Sequence, residues 1–238
     1  AFTTFNAPTK RGMQGTASDE INNLVGTNYY NPNWGYQNGE KRNAKVRFQQ
    51  EPTFIFNHYW NINEDLKLTS TLGYTFGTYQ TIALNWYDAP DPRPDYYRNL
   101  PSYWDPSDPS VVDDIADSFR NDVSVRQLNC DYMYQTNYNS VDPSGDLRSK
   151  YIVENRITDS RQLTFSSIAN WNIKPTLKLN GGIEASMYEG RNYKEISDLL
   201  GADYWLDVDQ FIERDFGVGS DIAQSDLDNH NRMVKAGD

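Results

Sequence analysis

Six aromatic side chains near the middle of the chain are the residues best suited to contact a ligand. They are Trp86, Tyr87, Tyr96, Tyr97, Tyr103 and Trp104. Their rings offer flat faces for stacking, and their N–H and O–H groups form hydrogen bonds at the ring edge. Such groups suit sugars, peptides or siderophores, so we predict a ligand-binding surface here that needs no cofactor.

The same rings could instead have a purely structural use. The segment that carries them is roughly 80 residues long, far beyond an ordinary loop, and it needs a small core of its own. Four prolines between residues 90 and 101 fix the backbone φ angle and stiffen the segment. We expect Arg93 and Arg98 to pair with loop aspartates and to keep the segment rigid, rather than to bind anything.

Aspartates crowd the same segment and raise two further kinds of chemistry. They are Asp91, Asp95, Asp105, Asp108, Asp113 and Asp114. Carboxylates bind calcium, but this spacing matches no EF-hand loop, and Asp beside Pro is ordinary turn chemistry. Two carboxylates could also serve as acid and base in a glycosidase, although any Asp-rich loop offers such pairs. We therefore predict neither a metal site nor a catalytic pair.

The remaining reactive residues give little support to an enzyme. His58 and His230 are far apart in the sequence, and Cys130 is the single cysteine. Neither a G-x-S-x-G nor an H-E-x-x-H motif occurs. One cysteine excludes an internal disulfide and any Cys-rich metal site. The sequence therefore predicts a protein that is not an enzyme.

The elements that must position these residues are strands. Apolar and polar residues alternate over two predicted hairpins, at about residues 46–78 and 157–189. Their tight turns are predicted at residues 63–65 and 172–175, and Pro52 is expected to mark either a bulge or the point where the strand leaves the membrane. A tilted strand of about 9–11 residues crosses a bilayer in a β-barrel. The fold class predicted is all-β, an antiparallel transmembrane β-barrel represented by about four strands.

Three long segments, at about residues 1–45, 79–156 and 190–238, are predicted to be loops. Within them we expect a strand end at Phe2–Phe5 and a short helix over residues 111–119, with Asp108 or Ser110 as its N-cap. Short turns on one side and long loops on the other are typical of outer-membrane barrels. The predicted domain organisation is thus one partial barrel domain, residues 1–238, without a plug domain.

Aromatic residues flank both predicted tight turns. Tyr59 and Trp60 precede the first turn, and Trp171 precedes the second. Such residues form girdles where a barrel meets the membrane surface. They could alternatively end the core of a soluble hairpin. His58 falls beside Trp60 on the apolar face, where an interfacial role is expected.

Composition favours a barrel with solvated loops over a large apolar core. Apolar residues make up 37% of the chain and aromatic residues 14%, with a mean hydropathy of −0.79. Disorder would explain the polarity but not the aromatic content. No apolar run approaches the roughly 20 residues of a transmembrane helix. The net charge of −11, concentrated in the predicted loops, makes nucleic acid a poor partner.

Three segments together resemble a known family. They are residues 28–46, the strand at residues 66–77 that ends in Gly-Tyr-Thr-Phe-Gly, and residues 86–104. They resemble the barrel of TonB-dependent outer-membrane transporters, especially the large-looped type of Bacteroidetes. The run Asp-Pro-Arg-Pro-Asp-Tyr-Tyr-Arg-Asn-Leu-Pro-Ser-Tyr at residues 91–103 is its most specific part.

The resemblance implies an interior piece of a 22-stranded barrel that encloses a plug. It implies import of a bulky nutrient, such as a glycan, a peptide or a metal chelate, across the outer membrane of a Gram-negative bacterium. The implied partners are membrane lipid, the remaining strands and plug of the same protein, the TonB energy-coupling complex and a surface lipoprotein. The alternative is a soluble β-sandwich module that binds carbohydrate with the same aromatics.

Overall fold

The computed structural model describes residues 1–226 and 228–238, and the fold is mostly β. Strands account for 46% of the residues and helices for 21%. The strands form curled antiparallel sheets, one of which is a half-barrel. Of the predicted fold class, the coarser part is confirmed: the structure is mostly β, with curled antiparallel sheets. Among the described helices, none has the length and apolarity needed to span a membrane.

Strands occur along the whole chain, and short helices lie between them. The strands are β1 (Phe2–Phe5), β2 (Thr9–Gly12), β3 (Trp34–Gln37), β4 (Glu40–Asn43), β5 (Val46–Gln50), β6 (Thr53–Asn61), β7 (Leu66–Trp86), β8 (Leu128–Asn129), β9 (Tyr151–Lys174), β10 (Leu177–Asp198), β11 (Trp205–Leu206) and β12 (Met233–Val234). The α-helices are α1 (Asp19–Val25), α2 (Pro109–Asn121), α3 (Cys130–Tyr138) and α4 (Gln210–Phe216). Single turns of 3-10 helix lie at Tyr97–Asn99, Pro101–Tyr103, Val123–Arg126 and Asp221–Ala223.

The chain divides into two compact units. The first unit comprises Ala1–Arg11, Arg47–Thr81 and Arg156–Tyr193. The second unit comprises Gly12–Val46, Ile82–Asn155 and Lys194–Asp238. The first unit consists of sheet strands, and the second, which we call the loop body, consists of packed loops, helices and short strands.

The first unit is the larger part of one antiparallel sheet. β6 pairs with β7 in a register that joins Trp60 to Leu68 and Phe54 to Tyr74, and β1 pairs with the other edge of β6. β9 lies between β7 and β10 in the same sheet. At the first tight turn, the Asn63 Oδ1 atom accepts hydrogen bonds from the backbone of Asp65 (2.9 Å) and Leu66 (2.8 Å). The second turn lies at residues 175–176, later than predicted.

A short interruption at Glu51 and Pro52 separates β5 from β6, but it is not a bulge. Both strands pair with β7 in one unbroken register, from Gln50 opposite Thr78 to Thr53 opposite Thr75, and Phe76 N–H donates to Pro52 O at 3.3 Å. The bulge predicted at Pro52 is therefore wrong. Opposite the interruption, Gly77 has a φ of +155°. A Cβ atom there would lie 2.0 Å from Gln50 O, so only glycine allows the two backbones to come this close.

Apolar side chains share one face of this sheet. The register of β6 and β7 puts Phe56 opposite Leu72, while Thr53 and Thr75 meet on the other face. The Ser70 and Ser167 hydroxyls lie 2.8 Å apart, so the face of β7 that carries Ser70 continues onto the Ser167 face of β9. We call this side the apolar face. Its larger members on β6, β7, β9 and β10 include Phe54, Phe56, Trp60, Leu72, Tyr74, Phe76, Leu163, Phe165, Trp171, Leu177, Leu179, Ile183 and Met187.

The second unit buries its apolar side chains in three clusters among the described residues. One cluster surrounds Leu128, Met133, Tyr151 and Leu200, and a second joins Ile152 to Trp205. The third packs Ile21, Tyr30, Leu100 and Phe119 between α1 and α2. Tyr151 and Ile152 are both 0% exposed although neighbours on a strand point to opposite sides. Both faces of the start of β9 are therefore covered.

This burial explains why β7 and β9 are longer than the predicted hairpin strands. β7 continues to Trp86 rather than ending near residue 78, because Ile82, Leu84 and Trp86 keep the alternation and pack on a core cluster. β9 begins at Tyr151 for the same reason. The strand at Phe2–Phe5 and the helix over residues 111–119 are confirmed. The predicted loops also contain α1, α3, α4 and several short strands that the polar composition concealed.

Candidate functional site

Four of the six predicted site residues form one continuous aromatic cluster in the second unit. We define the aromatic cluster as Tyr96, Tyr97, Tyr103 and Trp104. Successive ring centroids lie 4.7, 5.5 and 6.1 Å apart, each pair in an edge-to-face arrangement. Three members, Tyr97, Tyr103 and Trp104, are 44–54% exposed. The cluster therefore presents aromatic surface to solvent while its rings support one another.

Two turns of 3-10 helix and the core below them position the aromatic cluster. Leu100, between the two turns, is 4% exposed and packs with Phe119. The Glu20 carboxylate on α1 accepts hydrogen bonds from the Ser102 backbone N–H (2.9 Å) and hydroxyl (2.7 Å). α1 is itself capped by Ser18, whose hydroxyl accepts from Ile21 N–H at 3.3 Å. The segment that carries the rings is therefore fixed by the buried Leu100 and by the hydrogen bonds from Ser102 to Glu20.

Arg98 completes the aromatic cluster with a positive charge. Its Nε–H donates to the Tyr97 hydroxyl at 3.1 Å. Its Cζ atom lies 5.7 Å from the Tyr97 ring centroid and 5.9 Å from that of Tyr103, within cation–π range. The hydrogen bond from Arg98 lowers the pKa of Tyr97, and hydrogen bonding to Tyr97 raises the pKa of Tyr96. Arg98 pairs with tyrosine here, so its predicted pairing with an aspartate is wrong.

Polar groups buried near the aromatic cluster form hydrogen bonds inside the second unit. The Tyr30 hydroxyl donates to Arg126 O at 3.0 Å, and burial raises the pKa of Tyr30. The Arg126 guanidinium donates to the carbonyl oxygens of Phe119 and Arg120 at the end of α2. Burial also raises the pKa of Asp95. These groups fix the backbone and leave the exposed ring edges free.

A pocket of about 320 Å³ opens beside the aromatic cluster. It is lined by Pro94, Arg98, Asn99, Trp104, Ile115, Ser118, Phe119 and Val125. Its volume is at the lower end of the range typical of small-molecule sites, about 300–1,000 Å³. Its walls are mostly apolar, and Arg98 supplies the formal charge.

Trp86 and Tyr87 lie apart from the aromatic cluster, in core packing. Trp86 packs on the cluster of buried residues around Tyr151, and its carbonyl oxygen accepts from Gln210 Nε2 at 2.6 Å. Tyr87 packs edge-to-face on Trp205 at 6.4 Å and donates its hydroxyl to Glu213 at 2.5 Å. For these two residues the structure shows packing contacts, which is the alternative to ligand binding that the sequence left open.

The aspartates of this segment act mainly in turns. Asp105 Oδ1 accepts from Ser107 N–H (2.8 Å), which lowers the pKa of Asp105, and Asp108 Oδ1 accepts from the Ser110 hydroxyl (2.7 Å). Asp91 pairs with Arg93 at 2.5 Å, as predicted for that arginine. Within residues 1–226 and 228–238, no group of three His, Cys, Asp or Glu side chains could hold a metal ion.

The histidines and the cysteine lie in different surroundings. The His58 ring is 6.4 Å from that of Trp60 on the apolar face. His230 Nδ1 is 3.3 Å from Asp221 Oδ1, and Cys130 is 3% exposed at the start of α3. These positions bring none of the three together.

Sequence reasoning missed the helical side of the pocket. Ile115 and Phe119 lie one helical turn apart on α2 and so share a face. The predicted helix over residues 111–119 carried that signal, but nothing local indicated that its apolar face would close against residues 94–104.

Comparisons with family models, curated proteins and solved structures found no match to this chain. Its function is therefore inferred from the site and the sheet alone.

Proposed function

We propose that this chain is part of a TonB-dependent outer-membrane transporter that imports a bulky nutrient. In this proposal the first unit is a stretch of barrel wall, and the second unit gathers the extracellular loops that recognise the solute. The observation that carries the proposal is the exposed apolar face of the sheet.

The apolar face exposes far more hydrophobic surface than a protein in water normally does. Phe56 is 52% exposed, Leu179 55%, Ile183 69% and Met187 72%. Monomeric soluble proteins rarely expose large contiguous apolar patches. A surrounding of lipid tails removes this cost, because the side chains then meet an apolar solvent.

The height of the apolar face suits a bilayer. On β10 it extends from residue 177 to residue 187, about 34 Å of strand at about 3.4 Å per residue. A strand tilt of about 40° reduces this to about 26 Å, close to the roughly 25 Å apolar band of outer-membrane barrels. β9 has 24 residues, more than twice the roughly 9–11 needed to cross, so it would extend beyond the membrane.

Aromatic rings lie at both ends of the apolar face. Trp60 and Trp171 are near the short turns. Toward the other end, the Phe54 and Phe76 rings stack at 6.1 Å, and Tyr74 lies 5.4 Å from Phe76. Aromatic residues toward both ends of an apolar face are a feature of membrane girdles, and Phe56, opposite Leu72, lies between the two groups.

The edges of the sheet support a larger closed structure. Among the described residues, β10 pairs with β9 alone, and β1 pairs with β6 alone. An open strand edge is not tolerated in lipid, because its N–H and C=O groups lack partners. Further strands of the same protein would complete the wall, with a plug, the TonB complex and a surface lipoprotein as additional partners.

The competing hypothesis is a soluble β-sandwich that binds carbohydrate. A sandwich covers its apolar face with a second sheet about 10 Å away. In the described part of the first unit, twelve of the thirteen named side chains of the apolar face are 38–72% exposed, and Phe54 is partly buried. This exposure favours the transporter over the sandwich.

Impermeant labelling of cysteines in intact cells tests the proposal. We would use the full-length protein with Ser107→Cys in the loop body or Glu64→Cys at the first tight turn, both at exposed positions. We expect a membrane-impermeant maleimide to label the Ser107→Cys protein in intact cells, and the Glu64→Cys protein only after the outer membrane is permeabilised. Equal labelling of both in intact cells would overturn the proposed topology.

A further inference from the structure

The pocket beside the aromatic cluster has a chemistry more specific than a general aromatic surface. Its apolar walls come from Pro94, Trp104, Ile115, Phe119 and Val125. Phe119 is 2% exposed and forms its floor, whereas Trp104 is 44% exposed and forms its rim. A ligand that fills this pocket must therefore bring an apolar group.

Two neutral polar side chains of the pocket, Ser118 and Asn99, each donate a hydrogen bond within the protein. The Ser118 hydroxyl donates to Ile115 O at 2.7 Å, within α2. The Asn99 Nδ2 atom donates to Arg93 O at 3.1 Å. These two side chains help to hold the walls and contribute little to ligand recognition.

Among the described residues, Arg98 is the charged group that lines the pocket, and most of its donors are unused. A guanidinium carries five N–H groups, and the Nε–H donates to Tyr97. The neighbouring arginines differ, because Arg93 is paired with Asp91 and Arg120 with Asp117. In the described part of the chain Arg98 forms no such ion pair, while the Tyr97 and Tyr103 rings hold its guanidinium near the pocket.

We propose that this pocket binds an amphipathic carboxylate, whose apolar group contacts Trp104 and Phe119 while its carboxylate pairs with Arg98. The planar guanidinium matches a carboxylate in a bidentate geometry. The surrounding segment is acidic, with twelve Asp against six Arg and Lys from residue 85 to residue 150, so it disfavours ligands of high negative charge. A single carboxylate on an apolar group satisfies both conditions.

Two sources can supply this chemistry: the C-terminal residue of a peptide, or a free aromatic acid. Calorimetric titration of the full-length protein in detergent, with two pairs of probes, distinguishes them. One pair is 3-phenylpropionate and its neutral amide, and the other is the dipeptide Ala-Phe and its C-terminal amide. We expect at least one carboxylate to bind about tenfold more tightly than its amide, since a hydrogen bond to a charged group typically contributes this much.

Variants of the pocket assign the preference to Arg98. Arg98→Gln should abolish the difference between acid and amide, and Arg98→Lys should retain part of it because the charge remains without the fork. Arg120→Gln is the matched control: it removes an ion-paired arginine of the same acidic segment, outside the pocket, and should leave the preference intact. Trp104→Ala should weaken binding of the acid and its amide by a similar factor.

Equal affinity for acid and amide, a preference that survives Arg98→Gln, or absence of binding at millimolar concentration would each overturn this inference. Binding of the dipeptide alone would identify a peptide terminus as the ligand, and binding of phenylpropionate alone a free acid. The inference rests on the proposed function, in which the loop body recognises a solute. Failure of this inference is distinguishable from failure of the proposed function. Calorimetry measures ligand binding without transport, whereas cysteine labelling measures topology without a ligand.

Discussion

The two units treat the same kinds of side chain in opposite ways. In the second unit Ile152 is 0% exposed, and in the first unit Ile183 is 69% exposed. Both residues lie in long strands, Ile152 in the apolar run Tyr-Ile-Val at residues 151–153 and Ile183 in an alternating stretch of β10. The second unit buries its apolar groups as a protein in water does. The first unit leaves a whole face uncovered, which is the arrangement expected where lipid replaces water as the solvent.

The largest expected difference between the two units is in the loss of stability when an isoleucine in each is replaced by alanine. Ile152→Ala should lower the free energy of unfolding by about 2–5 kcal/mol, because it removes buried methyl groups and leaves a cavity. Ile183→Ala should cost no more than about half as much, because lipid or detergent fills the space and no cavity forms. Urea titration of both variants of the full-length protein in the same detergent measures the difference. Equal losses would mean that the two isoleucines occupy equivalent packed sites.

A charge on the apolar face should act almost as strongly. Leu179→Arg is expected to cost about 2–4 kcal/mol if residue 179 lies near the bilayer midplane. Asn180→Arg, one residue along β10 and on the other face of the sheet, is the matched control and should cost little. Folding titrations into liposomes report both values. An unaffected Leu179→Arg protein would break the assignment of this face to lipid.

Buried polar groups mark the second unit as a body packed in water. Asn137 is 0% exposed, and its amide donates to the carbonyl oxygens of Tyr151 (2.8 Å) and Leu199 (2.9 Å). Asn137→Ala should cost about 1–3 kcal/mol, since these backbone groups would be buried without partners. Asn139→Ala, at an exposed position, is the control. Thermal unfolding followed by near-ultraviolet circular dichroism, which reports aromatic packing, provides the measurement.

The smallest expected effect is a pH dependence on the surface of the second unit. The Tyr204 hydroxyl donates to Asp142 Oδ2 at 2.9 Å and lowers the pKa of Asp142. A carboxyl whose folded pKa is lowered contributes stability above its unfolded pKa, and that contribution is lost as the pH falls through the folded pKa. Tyr204→Phe should therefore be less stable than the parent at about pH 6, and the gap should narrow below about pH 4. A gap that widens in acid would contradict this assignment.

The strands were predictable from sequence because their signal is local. Alternation along β6, β7, β9 and β10 identified both hairpins, Asn63 marked a turn, and Pro52 marked the interruption between β5 and β6. The predicted hairpins stopped short of the observed ends of β7 and β9, although Ile82, Leu84 and Trp86 continue the alternation and residues 151–153 form an apolar run. The sequence could not show that these residues pack against distant loop segments.

The candidate site was predictable in part. Tyr96, Tyr97, Tyr103 and Trp104 are close in sequence, and the structure brings them together. Trp86 has the same chemistry but lies at the end of a strand whose partners bury it, and sequence could not separate these cases. The closure of the pocket by α2 depends on contacts between segments, so Ile115 and Phe119 could not have been assigned to it.

Depth-dependent fluorescence quenching tests the lipid exposure of the apolar face most directly. Leu179→Cys and Asn180→Cys in the full-length protein would each carry an environment-sensitive fluorophore, and the protein would be reconstituted in liposomes with nitroxide on the lipid chains. Cys130 is 3% exposed and should label slowly, and the parent protein provides the background. We predict strong quenching at position 179 and weak quenching at position 180. Equal quenching at the two positions, or none at 179, would contradict the assignment of this face to lipid.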